Sequence, residues 1–160
     1  MKPILFVMCG VSGSGKSTWA QKYKNVHPDT VIVSTDEIRE ELFGDCRIQK
    51  DGDKVFQIAY ERLSFYLTAN KDVIFDAMSL KPKDRLTLLM LFDSIAHMAC
   101  VVTGNDCASA IENQYKRDRH VPEEVVRAQC KRFIAPDLAE GWECIIDART
   151  GESKGVLIYE

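Results

Sequence analysis

The chain has 160 residues, 46% hydrophobic and 28% charged, with a formal net charge of −3. That is enough chain for one ordinary domain with a buried core, and the composition is that of a globular protein. The acidic balance excludes a protein that coats nucleic acid through bulk positive charge, though it leaves room for a short basic groove.

Residues 4–9 form an apolar run between Pro3 and Gly10, the pattern of a central parallel strand. The run is too short for the core of a signal peptide, although Cys9 would otherwise suit a lipoprotein leader. A helix is predicted from residue 16 to about 24, and His27-Pro28-Asp29 is a turn. A second strand falls at 31–34 and a helix at about 36–43. The polar segment 44–53 reads as a loop. Apolar residues at helical spacing (Val55, Ile58, Ala59, Leu63, Tyr66, Leu67) predict a helix over 54–70. A third strand at 73–75 ends in Asp76. Pro82 suits the first turn of a helix running to 91 or 92. A fourth strand at 99–102 precedes a helix from about 107 and the basic stretch "YKRDRH". Pro122 starts another helix with Glu123 and Glu124 in its first turn, where the helix dipole favours acids. A fifth strand falls at 142–146, and "GVLIYE" is a candidate edge strand.

Strands alternating with helices give an α/β chain with a mostly parallel sheet, and no repeat or internal boundary divides residues 1–160. No stretch is long enough to span a membrane, so a cytoplasmic protein is expected. The six cysteines, at 9, 46, 100, 107, 130 and 144, form no CxxC pair and read as scattered reduced thiols. Neither they nor His27, His97 and His120 cluster as zinc ligands.

The strongest signal is "GVSGSGKST", residues 10–18, which fits G-x-x-x-x-G-K-[ST] between a predicted strand and a predicted helix. Gly10, Gly13 and Gly15 let the backbone curl, with Ser12 and Ser14 between them, so that N–H groups face phosphate oxygens. The helix start at Lys16-Ser17-Thr18 adds its partial positive charge. Lys16 is a mobile charge for the β- and γ-phosphates of ATP, and Ser17 offers a hydroxyl to Mg²⁺.

Several nucleotide-binding classes are excluded. "TGND" at 103–106 lacks the lysine of a guanine-reading [NT]KxD segment, and no LSGGQ stretch is present. The chain is too short for the second helical domain of an AAA+ machine. "DGDKV" at 51–55 fits a haloacid-type phosphatase motif but follows no apolar strand. A kinase that hands the γ-phosphoryl to a hydroxyl fits best.

Such a kinase needs an acceptor-side base and charges around the transferring group. In open α/β sheets ligands lie beyond the carboxyl ends of strands. Asp36 follows the second strand, where it is either a helix cap or the base, and the two roles are compatible. Arg39 lies one turn on, on the same helix face, suited to grip an acceptor phosphate. Asp76 ends the third strand, where it is either a Walker-B-like acid that orients Mg²⁺ through water or a turn former. In "YKRDRHVPEEVVRAQCKR" (115–132), Arg117 is placed on a lid reaching the γ-phosphate, with Arg119 beside it. Arg127 and the basic residues after it read as surface or acceptor-strand contacts.

"GVSGSGKSTWA", "STDEIREEL", "VIFDAMSLKPKDR" and "RDRHVPEEVV" occur in this order. With them, residues 4–147 resemble the kinase domain of phage-type polynucleotide 5′-hydroxyl kinases and the related small P-loop kinases grouped as AAA_33. The resemblance implies a three-layer P-loop NTPase fold: an adenylate-kinase-like, five-stranded parallel sheet with helices on both faces and a small helical lid. It implies ATP and Mg²⁺ as cofactors, held by Lys16 and Ser17. It implies Asp36 as general base for a nucleic-acid 5′ end, Arg39 on the acceptor phosphate, Asp76 near the acceptor, and Arg117 on the donor phosphates. Where many members carry an Arg-Asn pair before the lid, this chain has Asn113-Gln114. The alternatives are a kinase of a small-molecule hydroxyl, such as a nucleoside or sugar, and an ATP-hydrolysing regulatory switch.

Overall fold

A computed structural model describes residues 1–157. The chain runs β1 (Ile4–Gly10), α1 (Lys16–Val26), β2 (Val31–Ser34), α2 (Thr35–Phe43), α3 (Gly52–Thr68), β3 (Val73–Asp76), α4 (Pro82–Phe92), β4 (His97–Gly104), α5 (Cys107–Tyr115), α6 (Glu123–Arg132), β5 (Cys144–Asp147) and β6 (Ser153–Gly155), with a short 3-10 turn at Leu138–Glu140.

The strands form one sheet in the order β2-β3-β1-β4-β5-β6. The first five are mutually parallel, as the alternating pattern predicts. The sheet has six strands rather than five, because β6 adds antiparallel to β5. Of "GVLIYE", only Gly155 lies in that strand, Val156 and Leu157 lie past it, and residues 158–160 fall outside the described chain.

β1 sits at the centre with all seven residues buried, which is why it reads as an unbroken apolar run. Its side chains alternate between two cores. Leu5, Val7 and Cys9 pack with residues of α2, α3 and α4, such as Ile38, Leu63 and Leu88. Ile4, Phe6 and Met8 pack on the opposite face against Ala20, Trp19 and Tyr23 of α1. A third cluster joins Val11, Leu80, Ala110 and Val126, seating α5 and α6 against the glycine-rich loop.

Two expectations need correction. Asp36 does not cap α2: the N-cap is Ser34, whose Oγ accepts from the Glu37 backbone N–H at 3.3 Å. Ser34 is extended and Asp36 is already helical, so the hydroxyl one turn back meets the free N–H. The segment 44–53 is also shorter as a loop than expected, since α3 begins at Gly52. Asp51 takes a left-handed conformation there (φ 51), which aspartate tolerates better than most residues.

Candidate active site

The carboxyl ends of β1, β2 and β3 open into one cleft of about 1770 Å³. Its lining includes Lys16, Ser17, Asp36, Arg39, Asp76, Arg117 and Arg119, so the structure brings together the residues that the sequence singles out. Ser12, Gly13, Gly15 and Thr18 line it too. Gly10 and Ser14 face inward: Ser14 Oγ shares a hydrogen bond of 2.6 Å with Thr103 Oγ1 and donates to the Val11 carbonyl at 2.7 Å. A Cβ on Gly10 would sit 2.0 Å from Thr103 Oγ1, so this crossing admits only glycine.

The loop fits a polyphosphate. Gly13 and Gly15 adopt left-handed conformations (φ 83 and 96) that turn the backbone into the start of α1. A Cβ on Gly15 would meet nothing within 4 Å, which leaves open space above the helix N-terminus where backbone N–H groups favour an anion. Lys16 Nζ donates to the Val11 carbonyl at 2.9 Å. Burial lowers the Lys16 pKa, against the charges of Asp76 and Asp36 that raise it, and Arg117 lowers it further. An ammonium taken out of water and beside another cation gains strongly from a phosphate.

Ser17 Oγ donates to Asp76 Oδ2 at 2.7 Å. A hydroxyl and a carboxylate at the phosphate loop are a hard-oxygen donor set that suits Mg²⁺. Ser17 could ligate the ion directly, with Asp76 orienting it through water.

Across the cleft, Asp36 occupies the first turn of α2, half exposed. Arg39 lies one turn further, with Nη1 3.8 Å from Asp36 Oδ1. Arg39 is nine-tenths buried, and its Nε has no hydrogen-bond partner among the described residues.

The segment 116–122, the candidate lid, links α5 to α6. Arg117 lies near enough to Lys16 to act on its charge. Arg119, grouped by sequence with the donor contacts, instead donates from Nη2 to Asp36 Oδ2 at 3.1 Å. Arg127 pairs with Glu123 on the surface of α6, and Arg132 reaches the cleft wall.

Three supports of the loop escape sequence reasoning. Asn113 Nδ2 donates to the Gly13 carbonyl at 2.9 Å, Gln129 Oε1 accepts from the Ser12 N–H at 2.9 Å, and Thr103 holds Ser14. Asn113 and Thr103 belong to stretches that attract notice for other reasons, as the departure from the Arg-Asn pair and as the failed guanine motif. Gln129 has no local signal at all.

The AAA_33 family, described as an AAA domain, matches residues 5–136. The chain belongs to this family. Solved structures share its fold at low identity. A chain of the Pnkp1/Rnl/Hen1 RNA repair complex superposes with a TM-score of 0.75 at 18% identity, over 82% of this chain and 44% of that one. Chaetomium thermophilum Kti12 in complex with ADP-AlF3 gives 0.64 at 17% identity, over 86% and 84%. A gluconokinase from Sinorhizobium meliloti 1021 gives 0.58 at 19%, over 84% and 77%. This AAA_33 chain therefore has the α/β fold of P-loop kinases, and it spans less than half the length of the RNA-repair chain that it matches. No curated protein matches its sequence. No helix among the described residues is long and apolar enough to cross a membrane.

Proposed function

We propose that this chain is an ATP- and Mg²⁺-dependent kinase that transfers the γ-phosphoryl group to the 5′-hydroxyl of a polynucleotide. The observation that carries the reading is the Asp36–Arg39 pair across the cleft from the phosphate loop. A guanidinium that is nine-tenths buried, with an unpartnered Nε, favours a ligand with anionic oxygens. A half-exposed carboxylate one turn away suits a hydroxyl. A polynucleotide 5′ end presents a hydroxyl and a neighbouring phosphate together. Membership of AAA_33 and the likeness to a chain of an RNA repair complex support this acceptor.

In the proposed reaction Asp36 accepts the hydroxyl proton as the hydroxyl oxygen bonds to the γ-phosphorus. The bond from that phosphorus to the β–γ bridging oxygen breaks, and ADP departs with the electron pair. Lys16 and Arg117 stabilise the charge on the transferring group. Mg²⁺ held by Ser17 and Asp76 would neutralise charge on the β- and γ-phosphates. Arg39 orients the acceptor by its phosphate, which fixes the hydroxyl near the base.

A small-molecule hydroxyl is the second reading. Asp53, Glu61 and Asp84 line the same cleft and repel a long polyanion, and the fold is shared with a gluconokinase. Incubation with γ-labelled ATP and a panel of 5′-hydroxyl oligonucleotides, nucleosides and sugars separates the readings. Label on oligonucleotides is expected. Label confined to nucleosides or sugars moves the acceptor to the second reading, and label released only as free phosphate favours a hydrolytic switch.

A further inference from the structure

The proposed base carries a guanidinium at each carboxylate oxygen. Arg119 Nη2 donates to Oδ2 at 3.1 Å, and Arg39 Nη1 lies 3.8 Å from Oδ1. The two arginines differ in kind. Arg39 is on the same helix as Asp36 and is nearly buried, so it moves with the acid. Arg119 comes from 83 residues away on the lid, and its side chain is 35% exposed. Around it the lid folds onto the last turn of α5. Arg117 N–H donates to the Gln114 carbonyl at 3.2 Å, Val121 N–H donates to Gln114 Oε1 at 3.1 Å, and His120 Nδ1 contacts the Gln114 carbonyl. The base of the lid is thus fixed to α5 on either side of Arg119, whose side chain is held on α2 by the Asp36 contact.

A carboxylate oxygen that accepts from a guanidinium is a poorer acceptor for a substrate hydroxyl. The contact is also easily lost. An ion pair this exposed shifts an equilibrium by roughly two- to fivefold. A triphosphate offers more charge, and oxygens that match a guanidinium fork, so it outcompetes a single carboxylate. Arg117, two residues before Arg119, lines the same cleft as Lys16 and lies near enough to act on its charge. A short swing of Arg119 towards the same phosphates would leave Asp36.

We infer that Arg119 is a positioning residue that occludes Asp36 until donor phosphates draw it away, so that the base becomes available only with the donor in place. The inference rests on the reading of Asp36 as the base. It gives the lid a second task beside stabilising the donor, since it occupies a carboxylate oxygen that an acceptor arriving early would need. By linkage, whatever draws Arg119 off Asp36 also strengthens acceptor binding at that carboxylate, and the coupling runs both ways.

Carbodiimide labelling of Asp36 with a glycine ester, read by peptide mass spectrometry on the full chain, tests this without any acceptor. A non-hydrolysable ATP analogue with Mg²⁺ should raise Asp36 labelling about two- to fivefold in the unaltered protein. In Arg119→Gln, labelling should be high from the start and unchanged by the analogue, while Arg119→Lys should restore part of the rise. Arg119 is exposed enough for these variants to fold, and a melting curve checks that they do. No rise in the unaltered protein, or an equal rise in Arg119→Gln, overturns the inference. Because the label reports only the carboxylate, failure of phosphoryl transfer to every acceptor would remove the proposed reaction without altering this result.

Discussion

Ser17 Oγ donates to Asp76 Oδ2 at 2.7 Å, which ties the first turn of α1 to the carboxyl end of β3. The two residues are 59 positions apart, and the pairing of β1 with β3 brings them together. If Asp76 orients the ion through this contact, Asp76→Asn should weaken the apparent Mg²⁺ affinity about 10–100-fold, the usual cost of losing an outer-shell partner. Transfer rates titrated against Mg²⁺ read the effect. An unchanged Mg²⁺ midpoint would leave Asp76 as a turn former.

Asp36→Asn tests the base directly. It removes the proton acceptor at nearly constant shape. General-base catalysis contributes roughly 10²–10⁴-fold, so transfer should fall by that factor while binding of an ATP analogue is retained. Ser34 caps α2, so the helix start survives the change. Undiminished turnover in Asp36→Asn would assign the proton to another group.

Most of the strands and the phosphate loop were legible because their signals are local. β1 is apolar throughout, and "GVSGSGKST" carries its reasons within nine residues. β6 was not legible at its true place, because Ser153, Lys154 and Gly155 are exposed and owe their pairing to β5. Ser34 is hidden as the cap because Asp36, two residues on, is an equally favoured cap residue by type. The supports of the loop were hidden for a different reason. Asn113 reaches Gly13 across 100 residues and Gln129 reaches Ser12 across 117, and no periodicity encodes such contacts. The Arg119–Asp36 pair has the same origin: sequence places both residues in the site, but which side of it Arg119 faces is a property of the lid's fold.

Arg85 is a further case, since a charged residue is seldom fully buried unless it is paired. Here it is wholly buried. It pairs with Glu140 at 2.7 Å and donates to the Ser79 carbonyl at 3.0 Å. The Met78 carbonyl next to it accepts from the Gly10 N–H at 3.0 Å, so the ion pair braces the segment that follows Asp76 against the phosphate loop. Glu140→Gln should cost about 3–5 kcal/mol in denaturant unfolding, because it strands a buried cation. The pair also sets a pH dependence. Burial pushes the Glu140 carboxyl up, but hydrogen bonds from Arg85 and Trp142 and the Arg85 charge outweigh it, so its pKa lies below that of an ordinary glutamate. A depressed acid contributes stability that is complete above its unfolded pKa and lost as the pH falls through the folded one. The unaltered protein should therefore lose stability below about pH 4.5 more steeply than Glu140→Gln. Parallel acid limbs in the two unfolding profiles would contradict this.

Gly13 and Gly15 share a left-handed backbone but differ in surroundings, so alanine at each should fail differently. At Gly15 (φ 96) a Cβ meets nothing within 4 Å, and the cost is the conformation alone, about 1–2 kcal/mol. For a chain of this size that lowers Tm by roughly 2–8 °C. The new methyl group would project into the cleft above the helix N-terminus, so binding of an ATP analogue should weaken more than the fold does. At Gly13 (φ 83) a Cβ would lie 2.5 Å from the Ala110 carbonyl oxygen and 2.5 Å from Gln114 Nε2. One of these is helix backbone and cannot swing aside. The other is buried and carries the lid, since Gln114 Oε1 accepts from Val121. Gly13→Ala must push α5 off the phosphate loop, which also breaks the Asn113 bond to Gly13 and loosens the lid at its root. It should lower Tm well beyond Gly15→Ala and abolish analogue binding. Melting curves and analogue titrations on the two variants make the comparison. Equal melting temperatures would show that the contact of α5 with the loop does not constrain Gly13.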